Sequence, residues 1–124
     1  MIALNPECRY FLYRSPININ KSFYSLASIA REQMKVDPLS LAVFIFLNNN
    51  RNQLKLLVWQ GDGFAIFHKR LEEGTFELPP FLHDQTHVVI SYSQLILILQ
   101  GISLEKVHYR KRYNQKNAST LTSR

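Results

Sequence analysis

The sequence predicts an α+β domain: a small, mainly antiparallel sheet (a meander) packed by an amphipathic helix, with a C-terminal helix and a basic tail. Three observations predict it. Phe23, Leu26, Ala27, Ala30 and Met34 recur at spacings of three and four, which puts them on one stripe of a helix. Three apolar runs, Ala42 to Leu47, Leu54 to Trp59 and Phe64 to Lys69, follow one another across short polar segments. Ser91 with Gln94, and then Gly101, bracket the run Leu95 to Leu99 as a capping box and a helix C-terminal residue bracket a helix.

Taken in order, Arg9 to Arg14 is aromatic-rich and is followed by Pro16, which reads as a short strand ended by a turn. Asn20 is the expected N-cap of the first helix, because its side-chain oxygen can accept from an unpaired backbone N–H. Lys21, Ser25, Ser28, Arg31, Glu32 and Lys35 fall on its watery side, and Asp37-Pro38 ends the segment. Asn48 to Asn52 and Gln60 to Gly63 are the turns of the meander. Within the middle strand, Leu54, Leu56 and Val58 share one face while Leu57 and Trp59 share the other. Both faces are apolar. The helix covers one, and the other needs the C-terminal segment, a second copy of the chain or a partner. Leu71 to Pro80 is a turn and an extended piece, and His87 to Ile90 is a further short strand. Residues 1–105 form the single domain and 106–124 the basic, flexible tail, with disorder expected beyond about Tyr113.

With 124 residues, the chain holds one modest core. Its net charge of +6 is unevenly spread. Residues 1–35 have five Lys/Arg against two Asp/Glu, residues 36–105 have four against seven, and residues 106–124 have six and no acid. The body is near neutral and the tail carries the excess, a pattern that suits a polyanion. One cysteine, Cys8, excludes an internal disulfide. No apolar run reaches membrane-spanning length and Met1 to Arg14 does not read as a signal peptide, so a cytoplasmic protein with no membrane partner is expected.

Catalytic signatures are sparse. Asp37, Asp62, Glu77 and Asp84 are the carboxylates from which a metal-dependent nuclease site would be built, yet Asp37 and Asp62 already have turn roles. His68, His83, His87 and His108 are scattered, Cys8 has no paired base, and no zinc spacing, nucleophile elbow or phosphate loop exists. No cofactor is expected. The nucleic-acid signal lies in Lys106, His108, Tyr109, Arg110, Lys111, Arg112, Tyr113 and Lys116, where rings alternate with cations, and in Arg51, Lys55, Lys69 and Arg70 on the meander. Pairing around Gly61 to Gly63 is expected to bring Lys55 and Lys69 together.

These strings resemble a known family. Leu4-Asn5-Pro6, Arg9 to Tyr13, Lys21-Ser22-Phe23 and Asp37-Pro38-Leu39-Ser40 are similar to the second open reading frame of insertion sequence sixty-six elements. That product is often labelled TnpB, or Orf2-like accessory protein, and is unrelated to the RNA-guided nuclease sharing the label. The likeness runs on through Val43 to Asn48, Leu54 to Trp59, Asp62-Gly63-Phe64, Lys69 to Pro79, Leu99 to Ile102 and Arg110 to Tyr113. Asn20, Leu41 and the hairpin tip Asn49-Asn50-Arg51 stand where the family usually has Arg, Gly and a run of arginines.

The resemblance implies a non-enzymatic helper of transposition, acting beside a separate large transposase. The expected partners are that transposase, element-end DNA and a second copy of the chain. Arg51, Lys55, Lys69, Arg70, Arg110, Lys111 and Arg112 are the candidate phosphate contacts, and Leu57 and Trp59 the candidate partner surface. A metal-dependent nuclease or transposase-like enzyme, and an adaptor with no nucleic-acid contact, are the alternatives.

Overall fold

The structure is a computed structural model that describes residues 4–82 and 84–101. The expected tail, 106–124, lies outside the described residues, as do Arg110, Lys111 and Arg112. Among the described residues, five strands and two helices follow in the order β1 (Arg9–Tyr13), α1 (Phe23–Glu32), β2 (Ala42–Leu47), β3 (Gln53–Trp59), β4 (Phe64–Arg70), β5 (His87–Ile90) and α2 (Tyr92–Gln100). They make one sheet in the spatial order β4-β3-β2-β1-β5.

The meander β2-β3-β4 is antiparallel as its turn chemistry predicts, and β5 is antiparallel to β1. The β1–β2 pair is parallel, because α1 carries the chain back between them. At the β2–β3 tip, Asn48 Oδ1 accepts from the backbone N–H groups of Asn52 and Gln53 at 3.1 and 3.0 Å, while Asn48 Nδ2 donates to Asn52 Oδ1 at 2.7 Å. Arg51 completes the turn in the left-handed region, at φ 58°. A tip of asparagines is therefore a built turn, since short amides bond their own backbone.

Helix α1 differs from the expected span. Its N-cap is Ser22, which makes no side-chain cap bond. Asn20 is not the cap: its backbone N–H donates to Asn18 Oδ1 at 2.9 Å, closing a separate turn ahead of the helix. The helix stops at Glu32, and Lys35 turns the chain at φ 60° while Val36 N–H reaches back to Ala30 O at 3.0 Å. A left-handed residue at a helix end is usually glycine, so a lysine there hides the helix end from a sequence reading. Helix α2 agrees with the expected caps. Ser91 Oγ accepts from Gln94 N–H at 3.1 Å, Gln94 Oε1 accepts from Ser91 N–H at 2.8 Å, and Gly101 is left-handed at φ 79°.

Two apolar layers sandwich the sheet. Tyr10, Leu12, Val43, Ile45, Leu54, Leu56 and Ile90 meet Leu95 and Ile98 of α2, together with Leu71 and Phe76 of the loop after β4. The cover left open by the sequence is thus the C-terminal segment and this loop. Phe76 is held in place by its N–H, which donates to Arg51 O at 2.8 Å. On the opposite face, Phe11, Phe44, Phe46 and Leu57 lie under Leu26, Ala27 and Ala30 of α1. Each fully buried Leu or Phe contributes about 1.5–3 kcal/mol relative to exposure. Tyr10 anchors the N-terminal turn: its hydroxyl donates to Asn5 O at 2.7 Å and accepts from Asn5 N–H at 3.0 Å. Burial, with Cys8 nearby, pushes its pKa up to about 12.

Candidate functional site

The expected cationic set on the meander does not stay together. Period two sends Lys55 and Lys69 to opposite faces, Lys55 toward α1 and Lys69 toward α2, so they do not approach one another. Lys55 is only 8% exposed, and its ammonium donates to Lys21 O at 2.7 Å beside the start of α1. Burial holds its pKa below the usual lysine value. A buried amine already spent on a backbone carbonyl is poorly placed to meet a phosphate. Lys69 Nζ donates to Leu99 O at 3.0 Å, which satisfies a carbonyl in the last turn of α2 and opposes the negative end of its dipole. These two lysines serve the fold.

Arg51 and Arg70 remain exposed. They sit at one end of the sheet, because Arg70 pairs with Gln53, two residues after Arg51. Arg14 and Lys21 leave the sheet at the same end and are also exposed. His68, one residue before Lys69, bonds Gln53 Oε1 through Nε2 at 3.0 Å. Its pKa is lowered by partial burial and then by the charge of Lys55.

The partner pair also divides. Leu57 is fully buried beneath α1, so it is core and cannot form part of an outer surface in this fold. Trp59 shares its face of β3 but lies two residues farther along, where it is only partly buried. Its ring meets Phe64 edge-on, with centroids 5.0 Å apart. The two line a groove of about 650 Å³ between α1 and the β3–β4 turn. Phe23, Tyr24 and Ala27 form the helix wall, Arg31 and Leu39 lie toward the helix end, and Asp62 and Gly63 form the turn wall. Phe23 was expected in the core stripe, yet it is 40% exposed; Tyr24 is 86% exposed. The sequence reading missed this groove. Its one signal was the adjacent ring pair Phe23-Tyr24, which cannot both face the core from a single helical turn.

Chemically, the groove offers aromatic faces and edges, one guanidinium and one carboxylate. That mixture suits an apolar or aromatic segment with polar flanks. Among the described residues, no three of His, Cys, Asp and Glu gather to hold a metal ion. Asp37 instead accepts from Leu39 N–H at 2.9 Å, and Asp84 turns the chain at φ 66°. No helix among them is long and apolar enough to cross a membrane.

Two relatives from Sinorhizobium fredii (strain NBRC 101917 / NGR234) align along most of the chain. The uncharacterized protein y4hO is 29% identical over 102 residues, covering 82% of this chain and 87% of that protein. The uncharacterized protein y4jC is 23% identical over 107 residues, covering 86% of this chain and 90% of that protein. No solved structure matches this chain. Residues 8–109 match the family described as IS66 Orf2 like protein, and the chain belongs to that family.

Proposed function

We propose that this chain acts as an adaptor, docking a segment of its element's transposase in the groove between α1 and the β3–β4 turn. Family membership carries the coarse role, a transposition-associated accessory. The finer reading rests on one observation: four aromatic residues, Phe23, Tyr24, Trp59 and Phe64, line an open groove on a sheet otherwise covered on both faces. Open aromatic clusters of this kind supply much of the energy of protein recognition, because rings bury large areas with few rotors to freeze.

DNA contact is a second reading, supported by Arg51 and Arg70 at one end of the sheet and by the basic stretch Arg110-Lys111-Arg112 in the sequence. In this reading the sequence-level cations act by counterion release rather than base readout.

Co-purification with the transposase, with and without element-end DNA, tests the adaptor. Capture without DNA is expected for the native chain, and its loss in Tyr24→Ala or Trp59→Ala with an unchanged circular dichroism spectrum. Capture that needs DNA and ignores both substitutions would remove the groove from the account. Direct DNA binding is expected to weaken steeply with salt, and after Arg51→Ala with Arg70→Ala; binding insensitive to salt would remove the second reading.

A further inference from the structure

We propose that two copies of this chain join through the open edge of β4, in one antiparallel register centred on Phe67. The backbone bonds around β4 fix which of its residues face outward. Gln60 N–H donates to Gly63 O at 2.8 Å, and Leu71 N–H donates to Asn52 O at 2.8 Å. Antiparallel bonded pairs recur every second residue, so positions 65, 67 and 69 spend their backbone groups on β3. Phe64, Ile66, His68 and Arg70 therefore aim theirs away from the sheet. No described strand lies beyond β4, which ends the strand order.

The residue pattern along this edge is self-complementary. With Phe67 opposite Phe67 of the second copy, Phe64 faces Arg70, Ala65 faces Lys69 and Ile66 faces His68. Every outward-bonding residue then meets another outward-bonding residue, and the full seven-residue strand is matched, giving about eight backbone hydrogen bonds. Each Arg70 guanidinium comes opposite a Phe64 ring, a favourable cation–aromatic pairing. Each Lys69 stands across from a small alanine. The two Phe67 rings, 39% exposed in the single chain, cover one another. A slip by four residues, centring the pair on Lys69, would set the two Lys69 ammonium groups opposite one another. Cations on an edge strand usually block pairing. Here their grouping at one end, with the rings at the other, blocks the register centred on Lys69 and permits this one.

The opposite edge is a poorer candidate. Arg14 N–H donates to Thr86 O at 2.9 Å, so the same alternation leaves only His87 and Val89 of the four-residue β5 facing outward. The β4 edge is also continuous with the groove through Phe64, so pairing would set two docking grooves along one ten-stranded sheet. The pairing does not depend on what the groove binds.

Sedimentation velocity of the full chain over a concentration series tests the proposal. A shift from 14.5 kDa toward about twice that mass is expected. Ile66→Pro removes an outward N–H that β3 does not use, and is expected to leave a folded monomer. Should that variant fail to fold, cysteine pairing gives an independent readout. In a Cys8→Ser background, Phe67→Cys is expected to form an intermolecular disulfide on mild oxidation, whereas Ala65→Cys and Val89→Cys are not. A monomer at every concentration with no Phe67→Cys cross-link would overturn the pairing. Cross-linking through Ala65→Cys or Val89→Cys in place of Phe67→Cys would overturn the register or the edge.

Discussion

The two faces of the sheet come from the same five strands but are closed to different degrees. On the α2 face, Leu12, Ile45, Leu54 and Leu56 are fully buried, and helix and loop seal them jointly. On the α1 face, the helix presents Leu26 with two small residues, Ala27 and Ala30, and its cover ends before Trp59 and Phe64. Alanines let the helix sit close to Phe44 and Phe46, but they span less of the sheet than leucines would. The α2 helix is capped at both ends, whereas α1 starts at a serine whose side chain caps nothing. Both faces therefore bury a core, and the α1 face also leaves an aromatic margin open along its groove.

The largest effect expected from this contrast is Leu56→Ala, which should destabilise the protein by about 2–5 kcal/mol in urea unfolding, because the sealed α2 face cannot collapse around the void. Tyr24→Ala, on the open face, should shift stability by no more than about 0.5 kcal/mol while weakening transposase binding by about 30-fold, readable by calorimetric titration. A comparable loss of stability in both variants would erase the distinction between the faces. The helix starts offer a finer contrast. Ser91→Ala should cost about 1 kcal/mol of unfolding free energy, whereas Ser22→Ala should change it by a few tenths at most.

The smallest effect is a pH dependence that reports on the α1 face. His87 packs edge-on against Phe11 at 5.6 Å, and burial lowers its pKa from the usual 6.5. Below that usual value the unfolded chain binds the proton more readily than the folded one. Stability should then fall as pH drops through about 6.5 and level off once pH passes below the folded pKa. Thermal melts of the native chain and of His87→Asn across pH 7 to 4.5 would reveal it as a narrowing of the gap between them.

Much of the meander was legible because its cues are local. Asn48 to Asn52 and Gln60 to Gly63 carry their turns in their own side chains and glycines, and Ser91, Gln94 and Gly101 carry the α2 caps. The parallel pairing of β1 with β2 was not legible, since no residue in Arg9–Tyr13 encodes a neighbour more than thirty positions away. The site was partly legible for the same reason. Leu57 and Trp59 look equivalent by period two, and only the place where α1 lies across the sheet makes one core and the other groove. Lys55 and Lys69 looked like a pair because they are close in the hairpin, yet their register is one residue out of step, which sends them to opposite faces.

Strand β1 lies between β2 and β5, although among the described residues it is the first strand and β5 the last. A ribosome must therefore deliver nearly ninety residues before Arg9–Tyr13 gains both of its neighbours. Copies truncated by a stop codon before His87 would keep the meander but present Tyr10, Phe11 and Leu12 along a bare strand. Such fragments are expected to be cleared or to aggregate rather than to survive as partial competitors.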